Sequence, residues 1–599
     1  MKKTKYLAPL LLVLALASCG NKGNTSLESS SSEAPASLTK SFASKLYLGS
    51  LDAKMAYDLP CSYFDVADEV PYIKLADFCS FYKKVALGDK YELFGASGDT
   101  LTNNATKATM VFDAKNNLVT CADFNLFKST VGETTSYHDD TFQTEMDKTA
   151  KLVSEKCTRK AGKEMNWDMG KYNMKVVSYN GDYYMPFSFY QTIFLSRLGL
   201  GVAFNGADFY FYNSLAVYKE KTNPDDPLEL TDYAKAIYKG PLANIKTRSE
   251  SYSKYYYGSF LFTMETSNGK LPRMDYASDL DTVLDVYGFK KKMLSSDSLI
   301  ADTALCEAIS TIFPDGGHTG SWGTGISVEP DSTRDLKLMG SIMNHDERMK
   351  AIYSLKDALK AQRGGAIKKG ENLKTSGSTA VISFDNFTLN SSNTSPNKEN
   401  VESDYDSTFG ILYNSFKKIE GMGETIKNVV IDLSENGGGA VMALGEALSF
   451  ITDDDISITV TDHVTGAVST EYVKYDTDLD GDFEDKDSYE GKYNFYVLTS
   501  PCSFSCGNAF PCIASEKGWA KVIGQRSGGG DCAVGYGFSV DGAKWQMSSA
   551  TSFTREDGTS VDDGAKVDYT LDYSYFYDLE KLDGYLSALP EEAEAPVKQ

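Results

Sequence analysis

Short apolar and aromatic runs alternate with Gly, Asn and Asp turns from about residue 41 to residue 241. Val70-Pro71-Tyr72-Ile73-Lys74-Leu75 and Ala203 to Phe211 are typical, and they read as strands and hairpins. Two stretches share a plan, a strand with a proline ahead of a helix: residues 70–78 and residues 184–190. This half therefore reads as one or two small repeated α+β modules. From 242 to 378 the pattern turns helical, with apolar residues three and four apart over Ser278–Leu294 and Ser298–Phe313. Beyond 379 it changes again. Ala380–Phe384, Val429–Leu433 and Phe495–Thr499 are short buried-type strands, separated by helical segments at Ala440–Phe450 and Gly507–Ser515. Strands alternating with helices predict an α/β layer with parallel strands over 379–580, followed by an acidic tail over 581–599.

The amino terminus follows another pattern. Residues 1–18 have a basic start, an apolar run and small residues at the end, as a secretory signal peptide does. Cys19 follows, and Leu16-Ala17-Ser18-Cys19 resembles the bacterial lipobox. That resemblance implies cleavage before Cys19 and a lipid on its side chain, so that the protein hangs from a membrane on its extracytoplasmic face. Residues 19–40 are polar and serine-rich and read as a tether. Elsewhere no stretch reaches the ~18 consecutive apolar residues of a spanning helix, which excludes a multi-pass membrane protein.

Charge narrows the partners. With 60 basic and 83 acidic residues the chain carries −23, which repels phosphate backbones and argues against nucleic acid. Only four histidines are present, His138, His318, His345 and His463, too few for chemistry that needs several imidazoles. An exported location permits disulfides, but nine cysteines after Cys19 leave at least one without a partner in the chain.

Three turns carry candidate chemistry. Phe313-Pro314-Asp315-Gly316-Gly317-His318-Thr319 ends a helix. Ile431 to Ala440 runs from a strand through Gly437-Gly438-Gly439 into a helix, and Leu498 to Asn508 is again strand, turn, helix. A serine at such a turn can be exposed, with the first amides of the new helix aimed at its ligand. A glycine turn can bring a second amide close, and a histidine can take the serine proton.

These segments resemble the carboxyl-terminal processing (tail-specific) protease family, whose catalytic domain shares its fold with Clp protease and crotonase. Asp432 to Gly439 is similar to the family's Asp-Leu-Arg-x-Asn-x-Gly-Gly, and Ser503-Phe504-Ser505-Cys506 to its nucleophile turn. Val522 to Gly529 resembles Val-Val-Gly-x-x-Thr-x-Gly, and Gly564 to Asp568 resembles Gly-Ile-x-Pro-Asp. The fold implied is α/β, a ClpP/crotonase-like protease domain preceded by a helical segment and strand-rich α+β modules. The lysine of one branch, about 25 residues after the serine, is replaced here by Gly530. Asp315 to Thr319 instead resembles the tricorn-like branch, which uses a histidine base.

The resemblance thus implies Ser505 as nucleophile, His318 as base, and the amides of Cys506 and Gly438 (or Gly437) as the oxyanion hole. Asp562 or Asp563 would be the orienting carboxylate, and Asn508 stands where the family usually has a glutamate. The implied function is a cell-surface serine peptidase acting on extracellular polypeptides without a catalytic cofactor. The alternative is an inactive protease-like protein that binds peptide or carbohydrate.

Residues 476–487 follow the calcium-loop template, with oxygen ligands at Asp476, Asp478, Asp480, Glu484 and Asp487 and Gly481 at position six. Asp482 adds a further carboxylate. A structural Ca²⁺ is expected there, because the clustered aspartates would otherwise repel one another.

Overall fold

The computed structural model describes residues 36–589 apart from 88–91, 130–149, 151, 215, 221–228, 275–278, 314, 316, 341–345, 391–394 and 484–486. The signal segment, Cys19, His138, His345 and Glu484 lie outside the described residues.

The carboxyl-terminal half is built on a six-stranded sheet: Leu373–Ser376, Thr379–Ser383, Asn428–Asp432, Asn494–Thr499, Lys521–Gly524 and Tyr569–Thr570, in that spatial order. The first pair is antiparallel and every later pair is parallel. All five residues of Asn428–Asp432 are buried, because both faces of the sheet are covered. The side-chain period of two divides them. Val429, Ile431 and Val497 pack under the helices Thr408–Glu420, Val441–Ser449 and Cys506–Lys517. Val430, Tyr496 and Leu498 face the other way, onto Leu359 of the helix Glu347–Arg363 and Leu582 and Leu586 of the helix Leu579–Ser587. That last helix runs into the stretch expected to be an acidic tail; its two leucines are buried, so this part of the stretch belongs to the domain.

A second sheet joins the two halves of the chain. Leu152–Lys160 pairs with Val468–Tyr475, which continues to Ile456–Asp462, Lys544–Thr554 and the short strand Gly320–Ser321. The described residues from Ala36 onward accordingly fall into one unit by contact.

In the amino-terminal half, Leu38–Phe42 already forms a strand inside the stretch expected to be tether, paired with Cys61–Phe64. The strands Ala67–Lys74 and Asp182–Pro186, one from each suspected repeat, lie side by side and antiparallel, Pro186 opposite Tyr72. Each leads into a helix, and the helices meet through Phe78 and Tyr190, stacked 4.1 Å apart. The helix expected over Ser278–Leu294 is two, Leu280–Val286 and Phe289–Met293. Gly288 at φ 76° separates them, a left-handed residue that an α-helix does not hold. Cys61, Cys79, Cys121, Cys306, Cys502, Cys512 and Cys532 are free thiols. Among the described residues no helix is long and apolar enough to cross a membrane.

Candidate active site

Loops at the carboxyl ends of the parallel strands converge, where open α/β sheets bind their ligands. The turn after Asn494–Thr499 is stitched to both neighbours. Ser503 Oγ donates to the Leu433 carbonyl at 2.7 Å and Phe504 N–H to the Asn436 carbonyl at 2.9 Å. On the other side Ser505 N–H donates to the Gly529 carbonyl at 2.9 Å and Gly528 N–H to the Ser503 carbonyl at 2.7 Å.

These bonds hold Ser505 at φ 56° and ψ −123°, immediately before the helix Cys506–Lys517. Such a backbone is costly for a residue with a side chain, and it turns the serine out of the strand rather than into a cap. Ser505 Oγ makes no capping bond and has no hydrogen-bond partner among the described residues.

Gly438 lies against the serine. A Cβ there would sit 2.6 Å from Ser505 Cβ and 3.0 Å from Oγ, so no other residue fits. Its N–H, however, donates to Asn436 Oδ1 at 2.9 Å, and that of Gly437 to the Asp385 carbonyl at 3.2 Å. Both glycine amides expected to serve as the second oxyanion donor are engaged, that of Gly438 within the turn and that of Gly437 by the loop after Thr379–Ser383. Cys506, at the start of the helix, is buried, and its thiol donates to the Gly439 carbonyl at 3.2 Å.

His318 precedes the strand Gly320–Ser321, whose pairing with Lys544–Thr554 brings the imidazole beside the nucleophile turn. Its ring meets the Phe504 ring edge-on, centroids 4.8 Å apart, one residue from Ser505. It is 4% exposed, and among the described residues Nδ1 has no hydrogen-bond partner. Burial pulls its pKa below the ordinary imidazole value; Asp315 works against this and Lys270 with it. A neutral imidazole is the form a base needs. Asp315 is committed to its own loop, accepting from Thr319 N–H at 2.7 Å and Oγ1 at 2.8 Å and from Ser548 Oγ at 2.6 Å.

Of the two candidate carboxylates, Asp562 faces the site. Its Oδ1 accepts from Gly530 N–H at 3.0 Å and its Oδ2 from Lys270 Nζ at 2.5 Å. Burial and Asp531 push its pKa upward, but Lys270 and the Gly530 amide outweigh them and hold it below the usual range. Asp563 is 67% exposed and lies 3.6 Å from Arg555. Gly530 itself leaves no room for a lysine, since even a Cβ would fall 2.5 Å from the Phe504 ring. Asn508 is fully buried and donates to the Val561 carbonyl at 2.9 Å while accepting from Ser527 Oγ at 2.7 Å. A carboxylate there could only accept, so the amide suits this link.

Several residues around the site were not anticipated. The helix Glu347–Arg363 flanks it: Arg348 donates to the Gly528 carbonyl at 2.6 Å, and Arg363 forms a bidentate pair with Asp385, both bonds 2.7 Å. Nothing but a charged helical pattern marks these arginines in the sequence. Lys270 and Arg273 come from the amino-terminal half.

In the acidic loop the carboxylates of Asp476, Asp478 and Asp480 lie within 4.8 Å of one another. Burial first, then Asp478, Asp476 and Asp480, pushes Asp487 up to about 7. Three carboxylates this close together, with the raised Asp487 carboxyl beside them, fit a hard dication with oxygen ligands. Asp482 contributes its N–H to Asp480 at 2.8 Å.

Among curated proteins no relative matches. Solved structures with likeness include the photosystem II D1 C-terminal processing protease, at 16% identity and TM-score 0.25. The match covers 33% of this chain and 42% of that one, less than two thirds of its length. A putative peptidase from Parabacteroides merdae matches at 17% identity and TM-score 0.38, over 58% of this chain and all of its own. Mature CPAF complexed with lactacystin matches at 10% identity and TM-score 0.37, over 56% and 97%. The family model described as Peptidase family S41 matches residues 380–571, so this part of the chain is similar to an S41-family peptidase domain.

Proposed function

We propose that the chain is a serine peptidase of the tricorn-like, histidine-base type on a ClpP/crotonase-like fold, held at the extracytoplasmic face of a membrane by a lipid on Cys19. The observation that carries this reading is the backbone of Ser505. A serine held at φ 56° ahead of a helix, half-buried and with Gly438 packed against its side chain, is a strained nucleophile.

Ser505 Oγ attacks a peptide carbonyl while the His318 imidazole accepts its proton. The oxyanion develops toward the amide of Cys506 and the Gly437–Gly438 turn, where a second donor forms once an amide turns from its partner within the loop. His318 returns the proton to the leaving amine, and a water hydrolyses the acyl-enzyme by the same steps in reverse. Among the described residues Oγ makes no hydrogen bond, and catalytic contacts commonly tighten only in the substrate complex. The substrate is an extracellular polypeptide. The loop 476–487 holds a structural Ca²⁺ through Asp476, Asp478, Asp480 and Asp487, with Asp482 and Glu484 the remaining candidates, and no catalytic step runs through it.

The test is labelling of the folded chain with a fluorophosphonate probe, beside Ser505→Ala and His318→Ala. Labelling that requires both residues supports the reading. No labelling by the wild-type chain with calcium supplied overturns it and leaves a peptide- or carbohydrate-binding protein. Incorporation of labelled palmitate in cells, lost in Cys19→Ser, tests the anchor.

A further inference from the structure

The segment Asn268–Arg273 follows the helix Glu250–Ser267 and runs close against the strand Lys544–Thr554. Asn268 bridges to Ser549, and Gly269 N–H donates to the Ser548 carbonyl at 3.1 Å. A Cβ on Gly269 would sit 2.1 Å from the Ser549 carbonyl oxygen, so only glycine allows this approach. It carries Lys270 and Arg273 to the Gly528–Asp531 turn.

There Lys270 Nζ meets Asp562 Oδ2 at 2.5 Å and Asp531 Oδ1 at 3.3 Å, and Arg273 meets Asp531 Oδ2 at 2.6 Å. The Asp531 side chain is wholly buried and that of Lys270 12% exposed, so each charge depends on its partners. Asp562 Oδ1 holds Gly530 N–H, and the neighbouring Gly529 carbonyl holds Ser505 N–H. A Cβ on Gly529 would fall 2.2 Å from the Asp562 carbonyl oxygen, so turn and loop are in direct contact.

We propose that Lys270 is a positioning residue of the active site, fixing the Asp562 carboxylate on the Gly530 amide and thereby the turn that carries the backbone of Ser505. It touches neither substrate nor the reacting atoms. The proposal rests on the serine-peptidase reading for its kinetic consequence, whereas its structural consequence can be measured alone. Four charged groups bear on His318: Asp315 on its own loop, Lys270 after the helix Glu250–Ser267, Asp531 on the glycine turn and Asp562 opposite it. Removing the lysine leaves three carboxylates and raises the basicity of the imidazole.

The experiment compares Lys270→Met, Lys270→Arg, Asp562→Asn and the double variant Lys270→Met/Asp562→Asn in the full chain. Hydrogen exchange at the Gly528–Asp531 amides reads the turn, and the pH profile of fluorophosphonate labelling reads the site. Lys270→Met is expected to speed Gly530 exchange and slow labelling by roughly tenfold or more, as misplacement of a reacting group does. The acid limb of its labelling profile moves to higher pH. Lys270→Arg recovers most of both, and the double variant is scarcely worse than Asp562→Asn, because the lysine acts through that carboxylate. Should Lys270→Met not fold, the double variant, which removes both charges of the pair, carries the comparison with Asp562→Asn. Wild-type exchange and labelling in Lys270→Met, or independent effects in the double variant, overturn the proposal. Absent labelling in the wild type, with exchange still governed by Lys270, refutes the peptidase reading and leaves the lysine's hold on the turn standing.

Discussion

Two clusters of buried charge tie the amino-terminal half to the carboxyl-terminal half, and they differ in what surrounds them. In the first, Arg248 donates to Asp302 at 2.6 Å and to Asp541 at 2.7 Å with its side chain fully buried. Among the described residues its Nε and Nη1 find no hydrogen-bond partner, and the guanidinium lies over the Tyr256 ring, 4.2 Å from the centroid. The second, Lys270 and Arg273 with Asp531 and Asp562, borders on glycine turns, an imidazole and a strained serine. The first cluster is enclosed by aromatic packing and can only hold elements together. The second has soft, shaped backbone beside it, so the same kind of ion pair also sets where atoms lie. Buried charge is no mark of a catalytic centre until its neighbours are counted.

The largest expected effect sharpens the catalytic side. Ser505→Gly should abolish labelling yet raise stability by about 1 kcal/mol, since glycine relieves the positive φ. Urea unfolding beside probe labelling checks both halves of the statement.

On the other side, Arg248→Met should cost about 3–5 kcal/mol in the same unfolding measurement, because it strands two buried carboxylates. The labelling rate per folded molecule should not change. A loss of labelling at full stability would erase the distinction between the clusters.

A buried carboxyl away from both clusters, Glu446, tests whether enclosure alone shifts such a group. Its Oε1 accepts from Ala150 N–H at 2.7 Å, and burial pushes it up to about 8. Raised above its unfolded value, it contributes stability below about pH 4.5 that is lost as pH rises through about 8. Glu446→Gln keeps the acceptor, so it should add on the order of 3 kcal/mol at pH 8 and little at pH 5.

His318 behaves oppositely. With its pKa depressed by burial, the neutral base persists below the ordinary value, and labelling should hold until the pH falls under about 6.5. The smallest effect belongs to the acidic loop. Calcium should raise the melting temperature by about a degree, as much as ~1 kcal/mol does in a chain of this size, and bind better at pH 8 than at pH 6 as Asp487 gives up its proton. Asp478→Asn should weaken both.

What could be read in advance was whatever local order decides. The buried runs around Val430 and Val497 and the glycine turn beside Asp432 announce a covered parallel sheet because period and turn chemistry are local properties. Asp562 and Asp563 could not be told apart, for adjacent residues point to opposite sides and only the packed loop decides which one meets Gly530. The engagement of the Gly438 amide by Asn436 is likewise a matter of a few tenths of an ångström. Lys270 had no signal at all: its role depends on Gly269 passing beside Ser549, 280 positions away in the chain. The helix expected across Gly288 was misjudged because apolar spacing continues through a residue whose backbone does not.

The edge strand Leu152–Lys160 has a temporal consequence. Its partner, Val468–Tyr475, lies more than 300 residues downstream, so a chain made from its amino terminus holds that strand unpaired for most of its synthesis. Ser505 follows later still. The sheet that carries both the His318 strand and this seam therefore closes only when nearly the whole polypeptide is present, and the His318 loop meets the Ser505 turn last.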